Sequence, residues 1–161
     1  MQLTREHIEL AYANGIRNFR NLSLRQLDLS ELDLSDCDFS QSDLYNTSFI
    51  GSKLDYVYFN FADLAYTKFT NAKYSKLFIH DARFNRTVGI KYATCSFDSY
   101  GECGRQLTAI KINGEVTLSC GCFTGSPEDL KTYIKNGYKG IYESRMLAFN
   151  FVMAAIDMER P

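Results

Sequence analysis

Four of the five cysteines, Cys95, Cys103, Cys120 and Cys122, fall in the last part of the chain. Thiolates are zinc ligands, and a closed structural site takes four protein donors. Zinc-binding chains usually bring those donors in pairs two to four residues apart, whereas the spacing here is C-x7-C-x16-C-x-C. Without such pairs the thiols read as small buried groups, and neither a metal nor another cofactor is expected. The chain opens Met1-Gln2-Leu3-Thr4-Arg5-Glu6 with no apolar leader. With an odd number of cysteines, that opening predicts reduced thiols and a cytoplasmic location. His7 and His80 stand in no nucleophile–base arrangement, and no G-x-S-x-G, Walker loop or H-E-x-x-H occurs. No catalytic residue is expected, and the chain reads as a non-enzyme. No apolar run is long enough to span a bilayer. A net charge of −1 creates no overall field favouring nucleic acid or an anionic membrane.

The chemistry that remains is recognition, and it depends on which side chains face outward. Every fifth residue from Phe19 to Phe84 is large and apolar: Phe19, Leu24, Leu29, Leu34, Phe39, Leu44, Phe49, Leu54, Phe59, Leu64, Phe69, Tyr74, Ile79 and Phe84. A helix would spiral such a set around its cylinder, because five residues advance about 500°. A straight strand would send successive members to opposite faces. The chain must therefore turn a corner every five residues. Two positions before the large residue stand mostly small ones, among them Cys37, Ser42, Thr47, Ser52, Ala62, Thr67 and Ala72. Residues two apart on an extended segment share a face, so both sets point inward. From Phe39 to Phe69 the large residue alternates Phe and Leu, which requires an even number of faces. A square coil of twenty residues satisfies this and stacks Phe19, Phe39, Phe59 and Ile79.

Cys37-Asp38-Phe39, Ser42-Asp43-Leu44 and Ala62-Asp63-Leu64 resemble the pentapeptide-repeat family, whose pattern is A-[DN]-[LF]-x-x. The resemblance covers Arg17 to about Thr87. It implies a mainly β fold, a right-handed quadrilateral β-helix of about 3.5 coils, roughly 17 Å long at one strand spacing per coil. Such a stack needs covered ends. Residues 1–16 predict an N-terminal capping helix, with Thr4 as N-cap, a body from Arg5 to Asn14 and Gly15 as terminator. Residues 17–87 form the repeat segment.

Residues 88–161 predict a C-terminal α+β cap and a possible dimerisation element. Gln106–Ile112 and Glu115–Ser119 read as a hairpin joined by Asn113-Gly114. Ser126-Pro127-Glu128-Asp129 opens a helix ending near Asn136, and a last helix runs from about Tyr142 to Glu159. The stretch from Cys120 to Leu130 is similar to tails of phage-encoded members of the family.

The register places Tyr56, Tyr58, Phe61, Tyr66 and Phe78 on the outside, where Asp, Ser or Lys would serve. A clustered apolar patch marks contact, either with another molecule or with the chain's own tail. Tyr58 and Phe78, twenty residues apart, should be stacked neighbours. The last helix is apolar nearly all round, so Met146, Phe149, Val152, Met153 and Ile156 are candidates for a homodimer contact. The coil is acidic at its start (Asp28, Glu31, Asp33, Asp36, Asp38, Asp43) and basic at its end (Lys68, Lys73, Lys76, Arg83, Arg86, Lys91).

The expected function is binding of another macromolecule, an unidentified host protein, in a phage or prophage setting where the chain would inhibit a host factor. Two alternatives remain. One is a DNA mimic that binds DNA gyrase, as the resemblance implies for some members. A coil of about 17 Å spans only about five base pairs at one charge per 1.7 Å, and its basic end departs from duplex mimicry. The other is a tail with metal-binding or enzymatic activity of its own.

Overall fold

A computed structural model describes residues 2–99, 102–120, 123–136 and 142–157. The chain divides into two units, Met1–Ile90 and Lys91–Pro161.

The first unit opens with α1 (Arg5–Ala13). Its cap is closed by a histidine: the Thr4 backbone N–H donates to His7 Nδ1 at 3.1 Å, and the Thr4 hydroxyl lies 2.8 Å from the same nitrogen. Gly15, at φ 80°, follows its end. Beyond α1 the backbone returns to pair with itself, in parallel, every twenty residues. Asn18 bridges Asp38, Asp38 bridges Tyr58, Asp43 bridges Asp63, and Lys68 bridges Val88. Two of these contacts widen into short strands, β1 (Val57–Tyr58) and β2 (Leu77–Phe78), paired Val57 to Leu77 and Tyr58 to Phe78. The ladder is carried by backbone bonds such as Phe19 N–H to Asp38 O and Asp38 N–H to Arg17 O, both 2.8 Å.

Thirteen of the fourteen large residues are buried, Tyr74 being half-buried. Burial of each contributes about 1.5–3 kcal/mol. The phenylalanines stack along the coil, Phe19 on Phe39 at 5.4 Å, Phe39 on Phe59 at 5.7 Å and Phe49 on Phe69 at 5.2 Å between centroids. The small inward hydroxyls satisfy backbone carbonyls: Ser42 Oγ donates to Phe19 O, Thr47 Oγ1 to Leu24 O and Thr67 Oγ1 to Leu64 O, each at 2.6 Å. Cys37 fills one small position completely, and burial pushes its thiol up to about 12. It is therefore a packing group, inert as a nucleophile.

The corners have one recurrent device. Two residues after each large one the backbone enters the left-handed region, at Asn21, Gln26, Glu31, Asp36, Gln41, Asn46, Gly51, Tyr56, Phe61, Tyr66, Asn71, Asp81 and Arg86. Among the described corners only the one between Tyr74 and Leu77 lacks it. There Leu77, 1% exposed, takes inward space that a small residue occupies at most of the other positions. The aspartates preceding the large residues serve the same corners. Asp33, Asp38 and Asp43 accept the backbone N–H two residues on, from Ser35 (3.0 Å), Ser40 (2.9 Å) and Tyr45 (3.1 Å).

These bonds predict that the first unit loses stability in acid. The Ser35 hydroxyl and N–H, with Lys53 beside them, hold the Asp33 carboxyl below the usual carboxylate range, and Ser30 does the same for Asp28. A depressed folded pKa contributes stability above the unfolded value of about 3.9, lost as pH falls through the folded pKa. Urea titrations across the acid range should show stability falling with pH. Asp33→Asn, which keeps the acceptor and removes the charge, should make that slope shallower.

The second unit holds β3 (Ile90–Ser99), β4 (Glu102–Ile112), β5 (Glu115–Cys120) and β6 (Phe123–Gly125) in one sheet of that order. α2 (Pro127–Asn136) and α3 (Tyr142–Asp157) complete it. The β4–β5 hairpin pairs Ile112 with Glu115 and Leu107 with Cys120. Its two turn residues, Asn113 and Gly114, both have positive φ, 50° and 89°, as a two-residue hairpin of the favoured twist demands. α2 starts in a reciprocal cap: Asp129 N–H donates to Ser126 Oγ (3.2 Å), and Ser126 N–H to Asp129 Oδ2 (3.0 Å). Ala93, Leu107, Ala109 and Leu118 of the sheet are buried with Leu130 and Ile134 of α2 and Ala148, Phe149, Val152 and Ile156 of α3.

Two points differ from the sequence expectation. The expected hairpin sits in a four-stranded sheet. β3 alternates apolar and polar residues from Ala93 to Asp98, but the phase slips between Tyr92 and Ala93, and three-residue β6 is too short to show a period. The dimer candidates on the last helix are also redirected. Phe149, Val152 and Ile156 are at most 4% exposed, and Met146 and Met153 pack partly buried against the same cluster. The sheet and α2 already cover that side, which leaves Leu147 (72% exposed) and Phe151 (56%) on the outer side of α3.

Candidate functional site

The outward aromatics arise from the register of the repeat. On the face whose inward stack is Phe19, Phe39, Phe59 and Ile79, the residue before each large one points out, giving the column Asn18, Asp38, Tyr58, Phe78. Parallel bridges join its first three members, and the β1–β2 pair joins Tyr58 to Phe78. In-register parallel pairing sets their rings face to face, 4.2 Å apart and within 5° of parallel. Lys76 Nζ lies over the Phe78 ring at 5.2 Å from its centroid. Below Tyr58, Asp38 is met by Arg20 at 3.6 Å.

Tyr56 stands at the corner before Tyr58 and Phe61 at the corner after it. Both are 53% exposed, and both are left-handed corner residues, at φ 57° and 59°. Phe61 meets the His80 ring edge-on at 5.1 Å, and His80 Nε2 lies 3.2 Å from Asp81 Oδ2.

Tyr66 is placed differently. Its ring lies 5.1 Å from Tyr45, and its hydroxyl accepts a bond from Arg86 at 3.0 Å. The Arg25 guanidinium lies over Tyr45 at 4.4 Å and pairs with Asp43 at 2.7 Å. Arg25, Tyr45, Tyr66 and Arg86 thus form a cation–aromatic ladder along the coil, a set of own-chain contacts. The structure brings Tyr58 and Phe78 together, sets Tyr56 and Phe61 at the flanking corners, and ties Tyr66 into this ladder. Arg25, Tyr45 and Arg86 escaped sequence reasoning, although Arg25–Tyr45 and Tyr66–Arg86 each show the twenty-residue spacing that would have found them.

The cysteine set divides. Cys95 and Cys120 are half-buried against the core of the second unit. The Cys103 side chain and the whole of Cys122 lie outside the described residues. Among the described residues no group of three His, Cys, Asp or Glu side chains could hold a metal ion. No helix there is long and apolar enough to cross a membrane.

A family described as pentapeptide repeats (8 copies) matches residues 42–73. Among solved structures the chain is similar to HetL, a pentapeptide repeat protein involved in heterocyst differentiation regulation from the cyanobacterium Nostoc sp. strain PCC 7120. That match has 23% identity over 53% of this chain and 48% of that one, with a TM-score of 0.30. It is similar also to a pentapeptide repeat protein from the Arabidopsis thaliana thylakoid lumen, at 25% identity over 43% of this chain and 55% of that one, TM-score 0.23. The chain thus spans about half the length of these two. A third, alr5209 from Nostoc PCC 7120, matches at 19% identity over 52% of this chain and 74% of that one, TM-score 0.24. No curated protein matches. With the five-residue register and its twenty-residue pairing in view, residues 42–73 of this chain are pentapeptide repeats.

Proposed function

We propose that the chain is a non-enzymatic protein that binds another macromolecule through the aromatic face at Tyr56, Tyr58, Phe61 and Phe78. Residues 17–87 would act as its rigid scaffold, a right-handed quadrilateral β-helix of about 3.5 coils. The observation that carries the binding reading is the pair of corners at Tyr56 and Phe61. A left-handed backbone suits Asn, Asp or Gly and costs a bulky L-residue about 1–2 kcal/mol. Six other corners take those cheap residues, at Asn21, Asp36, Asn46, Gly51, Asn71 and Asp81, and Gln26, Glu31, Gln41 and Arg86 place long polar side chains there. Tyr56 and Phe61 bear that cost with apolar rings left half exposed, where a polar side chain would be soluble, so folding does not account for them. The stacked Tyr58 and Phe78 between them supply the apolar area of a contact.

The tail's similarity to phage-encoded proteins favours a phage or prophage setting, with a cytoplasmic host protein as the target. Imitation of duplex DNA toward gyrase is the weaker reading. Asp33, Asp38, Asp43 and Asp63, which would stand for phosphates, lie within 2.7–3.6 Å of Lys53, Arg20, Arg25 and Arg83.

The test is capture of partners by the tagged protein from a bacterial lysate, run beside Tyr56→Asn and Phe61→Asn variants. Tyr56→Asn should leave thermal stability unchanged or raise it by about 0.5–1 kcal/mol, since Asn accepts the left-handed corner. Phe61→Asn should be near neutral, because the His80 edge contact, worth about 0.5–1.5 kcal/mol, is lost as strain is relieved. Both should release a partner that survives salt washing from the parent protein. A partner retained equally by both variants rejects this face.

A further inference from the structure

We infer that the aromatic face takes an acidic segment of a partner protein, anchored by apolar side chains. This rests on the binding reading above and names the chemistry of the partner. The charges around the face are one-sided at its C-terminal end. Lys76 sits over Phe78, and Lys73, one corner earlier, bridges Lys53 on the neighbouring face. Lys53 is engaged by Asp33 at 3.4 Å and Asp55 at 3.5 Å. Among the described residues neither Lys73 nor Lys76 has a carboxylate within ion-pair distance. The neighbouring acids are occupied: Asp38 by Arg20, Asp55 by Lys53, and Asp81 beside His80. The result is an apolar strip bordered by two unmatched ammonium groups, complementary to carboxylates interspersed with large apolar residues.

The ring geometry favours protein over single-stranded nucleic acid, although both are anionic. Base stacking needs an open aromatic face. Tyr58 and Phe78 turn one face each toward the other, and Lys76 lies over the Phe78 ring. The two faces closed in this stack are lost to a base, while the ring edges, which carry the positive part of the quadrupole, suit carboxylates and aliphatic side chains.

The test uses fluorescence polarisation with the full chain and three labelled probes: a peptide repeating Glu-Leu-Asp-Phe, its counterpart repeating Lys-Leu-Lys-Phe, and an oligo-dT strand of equal length. The acidic peptide should bind more tightly than either other probe. The double variant Lys73→Glu, Lys76→Glu should weaken it about tenfold, which corresponds to about 0.7 kcal/mol per lost pair. Its melting temperature should fall only slightly, because Lys73 is exposed and its replacement no longer repels Lys53, while half-buried Lys76 gives up only its cation–π contact with Phe78. Equal binding of the acidic and basic peptides, no effect of the double charge reversal, or tighter binding of oligo-dT each overturns the inference. Lysate capture separates this failure from that of the binding reading. A partner lost with Tyr58→Ser and Phe78→Ser but kept with the lysine variant leaves the face standing and removes only the acidic specificity. A partner kept by all variants removes both.

Discussion

Phe39→Ala is expected to destabilise the first unit by about 3–5 kcal/mol, the usual cost of truncating a fully buried phenylalanine. Phe39 is 0% exposed, stacked between Phe19 and Phe59, and meets Phe49 edge-on at 6.0 Å. Its removal breaks three ring contacts and opens a cavity in the coil's axis. The backbone ladder fixes the walls on every side, Phe39 N–H donating to Tyr58 O and Asp38 N–H to Arg17 O at 2.8 Å. The site cannot collapse to refill the space, which places the cost at the upper end. Urea unfolding followed by far-UV circular dichroism measures it. Phe39→Leu, which keeps most of the volume, should recover more than half of the loss, and a Phe39→Ala cost below about 1 kcal/mol would contradict the stacked core.

Gly89→Ala should be the most damaging single-methyl addition. Gly89 holds φ at 85°, and a Cβ there would lie 2.4 Å from the Thr70 backbone nitrogen and 2.7 Å from the Phe69 carbonyl carbon. The left-handed backbone alone costs about 1–3 kcal/mol. The clash adds to it because Phe69 N–H is already bound to Val88 O at 2.7 Å, so neither side can withdraw. Gly15→Ala provides the comparison, with φ at 80° and nothing within 4 Å of the added carbon. It should show the strain alone, and the difference between the two denaturation midpoints reads the clash. Equal losses would mean that residues 69 and 89 are not in contact.

Gly89 also shows why the repeat stops where it does. Continuing the series places the next large residue at this position, and the close approach of Thr70 admits no side chain at all. The failing register was visible in the sequence; the backbone contact that enforces it was not.

The outward aromatics divide in the same way. That Tyr56, Tyr58, Phe61, Tyr66 and Phe78 face outward was legible, because inward and outward alternate along each short extended segment. The Tyr58–Phe78 stack was legible too, since twenty residues separate them. The fate of Tyr66 was not. Its exposure resembles that of Tyr58, 37% against 36%, but its ring is shared with Tyr45 and its hydroxyl with Arg86. The last helix is a sharper case. Being apolar nearly all round, its sequence carries no direction, and only the sheet and α2 decide that Phe149, Val152 and Ile156 turn inward while Leu147 and Phe151 stay out.

By itself the sequence determined the coil's register, its inward and outward columns, both helix caps and the Asn113-Gly114 hairpin. Each depends on bonds within a few residues or on a strict short period, so local sterics and burial suffice. The tertiary structure alone decided which exposed rings are engaged by neighbouring coils, which side of α3 is covered, and that Lys73 and Lys76 lack acidic partners among the described residues. Those outcomes depend on rotamers and on residues far apart in the chain, which no local period encodes.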